Sequence, residues 1–400
     1  MNYDTLEKIK YSDRDNYEKI YKERYNSVST YRYDFDVKGF GAFVVITQEV
    51  LGLVSDIYRL NRELYKLENE LPKVALLQFT QRCLIDEVNQ TNELEGVAST
   101  RREIKEILAN KTPNNRLFGI VNKYAHLDTS NYISISDCAD IRKLYDEIIL
   151  DEVKKSDPQN IPDGDIFRKD TVYVRDKHTN MVIHEGLCPE TKIIETMSSL
   201  LSALKNPQYN ALINIAVMHY MFGYIHPFYD GNGRMSRFIS SYLLSTELEK
   251  IVSYRLAYTI KQDINAYYKI FKSTNSKQNR GDLTPFTIYF LELIKKSITE
   301  LITYFTDRSA RLNYLIKKLT SSEKPVDYKK VFNILIQNAM FGFEGLSIKE
   351  IAKILEESEY IIRKNIKLIE VDNLTIKTIS KPYLYTADLE RFDNIRSKDV

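Results

Sequence analysis

The stretch that most constrains the fold is NPQYNALINIAVMHYMFGYI, residues 206–225, which is apolar on nearly every side of a helix. A helix on a protein surface keeps a polar face, whereas one that is apolar all round must be enclosed by other elements. Pro227 sets its C-terminal limit, because proline breaks a helix interior. The sequence therefore predicts a mostly helical bundle built around this helix.

Helical periodicity continues on both sides of the central stretch. Apolar residues recur at steps of three and four in residues 46–69, 73–96, 235–250 and 284–305, as they do in amphipathic helices. The first 40 residues are polar, tyrosine-rich and weakly periodic, so we expect a loosely packed arm there. In residues 171–186, TVYVRD and MVIHEG flank the polar KHTN, a pattern that predicts a small β-hairpin.

The C-terminal part has a different pattern. After a linker at residues 320–327, three short helical segments precede a β-ribbon at 373–387, which predicts a winged helix-turn-helix. We expect an N-terminal helical region at 1–80, a central domain at 81–315 and this domain at 322–400. Residues 321–400 carry 13 Lys plus Arg and 13 Asp plus Glu. Without a basic excess, a protein-interaction or dimerisation role is favoured over DNA binding.

The stretch HPFYDGNGRMSR, residues 226–237, holds the chemistry. Glycines at 231 and 233 let backbone N–H groups point into one concavity, which leads to a helix N-terminus that favours a polyanion. Arg234 and Arg237, three apart, suit further phosphates. Asp230 is placed to bind a hard cation such as Mg²⁺, and His226 can take a proton from an attacking hydroxyl. A helix-loop-helix turn with a capping histidine would need none of these matched groups.

This stretch resembles the signature of the Fic family, His-Pro-Phe-x-(Asp/Glu)-Gly-Asn-Gly-Arg-x-x-Arg. The matching positions are His226, Pro227, Phe228, Asp230, Gly231, Asn232, Gly233, Arg234 and Arg237. The resemblance runs from the helices before residue 100 to GDLTPFTIYFL at 281–291. It implies a Fic-type helical bundle in which the hairpin is a flap where a target segment docks as an added strand. His178 and His184, both in the hairpin, lack partners at metal spacing, so we expect them to be exposed.

The resemblance implies transfer of AMP from ATP to a hydroxyl of a protein, either a target or the chain itself. His226 would be the general base, and Asp230 would bind Mg²⁺. Gly231, Asn232 and Gly233 would hold the α- and β-phosphates, Arg237 the γ-phosphate with help from Arg234, and Phe228 would anchor the loop. Doc-like relatives, which transfer phosphate, carry Lys at the position of Gly233. Tyr267 and Tyr268 are candidate nucleoside-pocket residues and equally good core residues.

A second motif precedes the first. TNELEG, residues 91–96, resembles the family's inhibitory motif (Ser/Thr)-x-x-x-Glu-(Gly/Asn), with Thr91, Glu95 and Gly96 in the required places. A bidentate pair between Glu95 and Arg237 would occupy the place of the γ-phosphate. The alternative is a surface glutamate followed by a glycine C-cap. The sequence therefore predicts an adenylyltransferase with its own inhibitory helix.

The sequence leaves two other functions open and also bears on the cellular location of the protein. The same site could remove AMP from a modified protein with Glu95 orienting water, or the chain could be a winged-helix DNA-binding regulator. With no apolar run of membrane-spanning length, a charged N-terminus and a net charge of +2, we expect a cytoplasmic protein without membrane contacts, a monomer or a homo-oligomer. Cys83, Cys138 and Cys188 have no metal or redox spacing and are expected to be buried or idle.

Overall fold

Helices dominate the chain. The computed structural model describes all residues except 1–2, 111–112, 128–132, 176–181, 380, 382 and 396–400. Its helices are α1 Leu6–Ser12, α2 Tyr17–Asn26, α3 Gln48–Glu70, α4 Lys73–Glu95, α5 Arg101–Asn110, α6 Phe118–Ala125, α7 Cys138–Tyr145, α8 Asp151–Ser156, α9 Glu190–Leu204, α10 Ala211–Ile225, α11 Asn232–Glu247, α12 Lys250–Ser253, α13 Leu256–Gln262, α14 Ile264–Thr274, α15 Thr284–Thr320, α16 Val326–Phe341, α17 Ile348–Leu355, α18 Glu359–Val371 and α19 Leu389–Asn394. A π-helical turn, Asp146–Leu150, joins α7 to α8.

The strands form three separate antiparallel pairs among the described residues. They are β1 Thr30–Val37 with β2 Phe40–Val45, β3 Tyr173–Arg175 with β4 Val182–Glu185, and β5 Thr375–Lys377 with β6 Tyr385–Ala387. The predicted fold class, mostly α with small β-hairpins, is confirmed.

The chain divides into two compact units, one of residues 1–61 and 85–298 and the other of residues 62–84 and 299–400. These units cut through α3, α4 and α15, which differs from the predicted division at 80, 315 and 322. A helix can belong to two compact units when each half packs on different neighbours. The functional domain boundaries therefore stay predictions.

In the first unit, α10 is the central element that the sequence predicts. The side chain of Asn210 accepts the N–H groups of Leu212 and Ile213, which starts the helix. From Leu212 to Ile225 every residue except Gly223 is buried. Helices α9 and α11 pack against it. The helix ends at Ile225, two residues before Pro227.

The N-terminal segment is packed, so the expectation of a loose arm is wrong. Leu6, Tyr17 and Phe43 form a small core, and the main chain of Phe43 pairs with residues 281 and 283. The Tyr3 hydroxyl donates to Asp282 at 2.6 Å, and the Tyr17 hydroxyl donates to a main-chain carbonyl at 2.5 Å. Tyrosine can bury its ring while its hydroxyl forms a hydrogen bond, which a count of polar residues does not reveal.

The second unit contains the C-terminal elements. Phe79 stacks on Tyr304 with centroids 4.6 Å apart, and Phe332 packs edge-on against Phe392 at 5.0 Å. Helices α16 to α18 come before the β5–β6 hairpin, in the predicted order, and Leu346 forms a bridge to Tyr385 in β6. The assignment of these elements as a winged helix stays a prediction.

Among the residues that the structure describes, none of the helices combines the length and apolar character needed to cross a membrane.

Candidate active site

Residues 226–237 form the turn between two buried helices. His226 follows the last turn of α10 in the left-handed conformation, with φ 52° and ψ 62°, and its N–H still bonds to the carbonyl of Phe222 at 3.0 Å. Gly231, with φ 81°, precedes the first turn of α11. A glycine adopts this conformation at little cost, so the chain can reverse here and present the free N–H groups of α11.

The loop between the two helices is held from inside. The buried ring of Phe228 stacks on Tyr145 with centroids 3.8 Å apart and meets Phe167 edge-on. The side chain of Asn232 accepts the Phe228 N–H at 2.9 Å and donates to the Phe228 carbonyl at 2.7 Å. The Asn232 amide is therefore engaged by the loop, and the predicted phosphate contact at this position is left to its backbone N–H.

His226 is placed as a base. Its Nδ1 lies 3.3 Å from the Gly223 carbonyl, a contact in which Nδ1 carries the proton and Nε2 keeps a free lone pair. Burial lowers the pKa of His226 to about 4, with a smaller contribution from the Arg168 charge. The imidazole is therefore neutral at physiological pH and able to accept a proton.

The two signature arginines have different partners. Arg234 is buried, and its Nη1 donates to Glu152 of α8 at 3.0 Å. Its Nη2 lies 3.6 Å from Asp230. Nothing in the sequence around Glu152 indicates this role, because the charged run DEVKKS is typical of a solvated helix. Glu152 is a site residue that the sequence did not reveal.

Arg237 points to the end of α4. Its Nε donates to the Thr91 hydroxyl at 2.7 Å, and its Nη2 donates to the Thr91 carbonyl at 3.1 Å and to Glu95 Oε1 at 2.6 Å. The predicted bidentate pair is thus replaced by a guanidinium shared between two residues one helical turn apart. Gly96, with φ 79°, ends the helix directly after Glu95.

Glu95 lies beside Gly233, the second glycine of the turn between α10 and α11. A Cβ atom added to Gly233 would be 2.0 Å from Glu95 Oε1, so the carboxylate occupies the space beside this backbone. Burial raises the pKa of Glu95, but the Arg237 guanidinium outweighs it and the pKa stays below its usual range. The carboxylate is therefore ionised and next to the N–H groups of α11.

Asp230 is a suitable single ligand for a cation. Its Oδ1 accepts the Gly231 N–H at 2.6 Å, and its side chain is partly exposed. The described residues contain no group of three His, Cys, Asp or Glu side chains that could bind a metal by themselves. Mg²⁺ commonly takes one or two carboxylates together with substrate phosphates, so this donor set fits the predicted ion.

The two candidate pocket tyrosines lie near the charged pair. The Tyr267 hydroxyl is 3.0 Å from His219 Nε2, while Tyr268 is exposed and packs edge-on against Tyr267. Burial raises the pKa of both phenols, and the charges of Glu95 and Arg237 act on both. Tyr267 is thus anchored in the core, and Tyr268 is free to contact a ligand.

The expectation that His184 is exposed is wrong, and His178 lies outside the described residues. His184 Nε2 is 2.6 Å from the Tyr224 carbonyl, and its Nδ1 is 3.0 Å from Asn275 Nδ2. Burial lowers its pKa to about 4. Successive residues of a strand point their side chains to opposite faces of the sheet, and the side chain of His184 points inward. His184 therefore fixes strand β4 to α10.

The fold and site define a class: a helical domain in which a buried histidine and a glycine-containing turn lie at the N-terminus of a helix. Residues 135–244 match the Fic/DOC family, a segment that contains α10, the turn and most of α11. The chain therefore contains a segment that is similar to the Fic/DOC family. Helix α4, with Glu95, lies outside the matched segment.

Known proteins support this assignment at the level of the domain. The chain is 32% identical over 108 residues to "Protein adenylyltransferase Fic" of Drosophila yakuba, covering 27% of this chain and 20% of that protein. It is 32% identical over 123 residues to the protein of the same name from Drosophila grimshawi, covering 30% and 23%. The chain thus spans about a fifth of the length of these curated relatives.

A solved structure supports the fold beyond the matched segment. The crystal structure of a Fic family protein from Desulfovibrio desulfuricans aligns with a TM-score of 0.53 at 19% identity, over 86% of this chain and 96% of that one. At this identity, the likeness concerns the fold alone.

Proposed function

We propose that this chain is a protein adenylyltransferase, which transfers AMP from ATP to a hydroxyl side chain of a protein, and that Glu95 restrains it. The observation that carries this proposal is the position of the Glu95 carboxylate, 2.6 Å from Arg237 and directly beside the backbone of Gly233. The Glu95 carboxylate already occupies the place where the backbone N–H groups at the start of α11 and Arg237 would bind an anion. The names of the curated relatives support the same reaction.

Each step of the transfer has a residue in the site. The hydroxyl oxygen of the target attacks the α-phosphorus, and Nε2 of His226 takes its proton. The bond between the α-phosphorus and its bridging oxygen breaks, and pyrophosphate leaves. Backbone N–H groups at Asn232 and Gly233 would hold the α- and β-phosphates, because they lie at the N-terminus of α11, and the N–H of Gly231 would join them on leaving Asp230 Oδ1.

The outer phosphates and the metal need the remaining groups. Arg237 would bind the γ-phosphate once Glu95 moves, and Arg234 would stabilise the loop through Glu152 and Asp230. Asp230 would hold Mg²⁺, which supplies charge neutralisation to the phosphates when bound. Tyr268 would contact the nucleoside. These assignments are supported by the contacts within the site and by the family resemblance.

Removal of AMP from a modified protein is the second candidate. Its support is that the Glu95 carboxylate is ionised and that its charge acts on His226, so it could orient an attacking water. An AMP-modified protein incubated with the wild type and with Glu95→Gly distinguishes the two. Removal would stop with the glutamate gone, whereas transfer would increase.

The label position tests the main proposal. Incubation of the Glu95→Gly variant with ATP labelled at the α-phosphate should label protein, whereas ATP labelled at the γ-phosphate should not. Label from the γ-position would indicate phosphate transfer instead. Repeating the assay with each nucleoside triphosphate then gives the donor, and mapping of the label gives the modified residue.

For the C-terminal elements we propose a protein-contact role, between copies of the chain or with a target. Arg363 pairs with Glu359 at 2.8 Å, and Lys377 lies 3.6 Å from Glu370, so part of the basic charge on α18 and the hairpin is neutralised. Tyr360 and Val371 of α18 are exposed. Retention on duplex DNA that weakens with salt would instead support the DNA-binding alternative.

A further inference from the structure

Arg168 is a buried cation whose partners are main-chain carbonyls. Its side chain has no exposed surface, and its Nε donates to the His226 carbonyl at 2.8 Å. Its Nη2 donates to the Leu187 carbonyl at 2.9 Å, and its Nη1 to the carbonyl of Asp170. Within the described part of the chain, no carboxylate pairs with it. Burial of a cation costs several kcal/mol before compensation, so this arrangement is expensive unless the position serves the site.

The first consequence concerns the histidine loop. The Arg168 side chain holds the carbonyl of His226, and its own N–H donates to the carbonyl of Pro227 at 3.2 Å. His226 has φ 52°, a conformation that costs a residue with a side chain roughly 1–2 kcal/mol. Arg168 thus bonds to the carbonyls of two successive residues, His226 and Pro227, and the first of these has the unfavourable left-handed conformation.

The second consequence concerns the flap. The Leu187 and Asp170 carbonyls lie just beyond the two flap strands, β4 and β3, and the N–H of Leu187 bonds to the Ile225 carbonyl at 3.1 Å. A Cβ atom on Gly186 would be 2.4 Å from Arg168 Nη2 and 3.0 Å from the His226 Cβ. Glycine at 186 therefore lets one guanidinium reach both the flap and the histidine loop.

We infer that Arg168 is a positioning residue for the reaction, which holds the His226 backbone in its left-handed conformation and fixes the base of the flap relative to it. This inference rests on the proposed function of the His226 site. Arg168 contacts neither nucleotide nor target. It acts through the His226 carbonyl, so its loss changes the placement of the base and of the docked hydroxyl, and leaves the phosphate-binding groups of α11 in place.

The charge of Arg168 gives a second measurable effect. Two charged groups act on the His226 imidazole, Arg168, which lowers its pKa, and Glu95, which raises it. Replacing Arg168 with a neutral residue should therefore move the acidic limb of the pH–rate profile to higher pH. A purely structural role for Arg168 would lower the amount of active protein without moving this limb.

The experiment compares Arg168→Met and Arg168→Lys in the Glu95→Gly background with α-labelled ATP. Arg168→Met should lower kcat at least tenfold while KM for ATP changes less than about threefold, because the loss concerns orientation and not ATP binding. It should also raise the midpoint of the acidic limb. Arg168→Lys keeps the charge but lacks the planar fork, so it should restore the midpoint more completely than kcat.

A titration independent of catalysis complements the assay. The pKa of His226 is followed by proton NMR in the full chain, with its signal assigned by comparison with His226→Asn. A higher pKa in Arg168→Met shows that Arg168 acts on His226 whether or not the parent transfers AMP, so failure of the inference is distinguished from failure of the proposed function. Unchanged kcat and unchanged His226 pKa in a folded Arg168→Met would overturn the inference.

Matched variants guard against a folding defect. Arg142→Met removes a neighbouring arginine, which donates to the Ile166 carbonyl at 2.8 Å, and should leave kcat and the limb unchanged. If Arg168→Met does not fold, Gly186→Ala displaces the same guanidinium by steric contact and should reproduce its kcat loss, while the retained charge should leave the acidic limb close to that of the parent. A folded Gly186→Ala with the kcat of its parent would overturn the inference.

Discussion

Glu95, the last residue of α4, and Arg237, in the second turn of α11, are joined by a hydrogen bond of 2.6 Å although 142 residues separate them in sequence. Thr91, one turn earlier on α4, accepts two more hydrogen bonds from the same guanidinium. The end of α4 is thereby attached to the start of α11 by three bonds from one side chain.

Glu95→Gly should increase incorporation of AMP by roughly 10- to 100-fold. A hydrogen bond to a charged group contributes about 1.5–3 kcal/mol, and its removal frees Arg237 and the space beside Gly233. Labelling with α-labelled ATP measures the change. The matched control is Glu93→Gly, which removes a glutamate of the same helix that pairs with Lys261. Equal labelling by wild type and Glu95→Gly would show that Glu95 does not restrain the site.

His226→Ala, in the Glu95→Gly background, should lower the transfer rate by about 10²- to 10⁴-fold, the range expected for loss of a general base. Binding of ATP should change little, because the phosphate-binding groups remain. Equilibrium binding of a fluorescent ATP analogue and the labelling rate measure the two effects. His126→Ala, which alters a histidine at the end of α6, serves as the control. Substantial transfer without His226 would rule it out as the base.

Glu152→Leu should destabilise the first unit by about 3–5 kcal/mol, because Arg234 would remain buried without its buried, hydrogen-bonded carboxylate and would keep only the longer contact with Asp230. The double variant Glu152→Leu, Arg234→Met should recover much of this loss, since both charges are gone. Urea unfolding followed by circular dichroism gives the free energies. Glu147→Leu breaks a more exposed pair with Lys123 and should cost about 1 kcal/mol or less. A similar cost for both single variants would contradict the importance of Glu152.

Glu87 should make the stability of the first unit depend on pH. Burial raises the pKa of its carboxyl from 4.5 to about 7, although it accepts the N–H groups of Ala257 and Tyr258 at 2.7 and 3.2 Å. Its stabilising contribution is complete below pH 4.5, declines as the unfolded chain loses the proton first, and is lost above about pH 7.

The measurement for Glu87 is urea unfolding of the wild type and Glu87→Gln between pH 4.5 and 8. The free energy of unfolding of the variant should increase relative to that of the wild type as the pH rises. Glu93→Gln, at a more exposed glutamate on α4, should show no such trend. Parallel pH curves for Glu87→Gln and the wild type would mean that the carboxyl titrates at its ordinary pKa.

The sequence was informative where the determinants are local. The sequence predicts that α10 ends before Pro227 and that a glycine precedes α11, because the residues responsible lie within a dozen positions of each other. Glu152, Arg168 and His184 were not identified, since each acts through a partner far along the chain. In a single sequence, the residues around a glutamate in DEVKKS or a histidine in a hairpin do not indicate whether its side chain is solvated or buried. The N-terminal segment differs from its prediction for a related reason, because the hydroxyl partners of Tyr3 and Tyr17 lie near residue 280.

The close approach of Glu95 to Gly233 also limits how this sequence can diverge. Any side chain at 233 would collide with the carboxylate, so a mutation there requires Glu95 to move or to be lost. A lysine at this position, which the resemblance associates with Doc-like relatives, carries the same requirement. In descendants of this chain, a larger residue at 233 and the present position of the Glu95 carboxylate would therefore exclude each other.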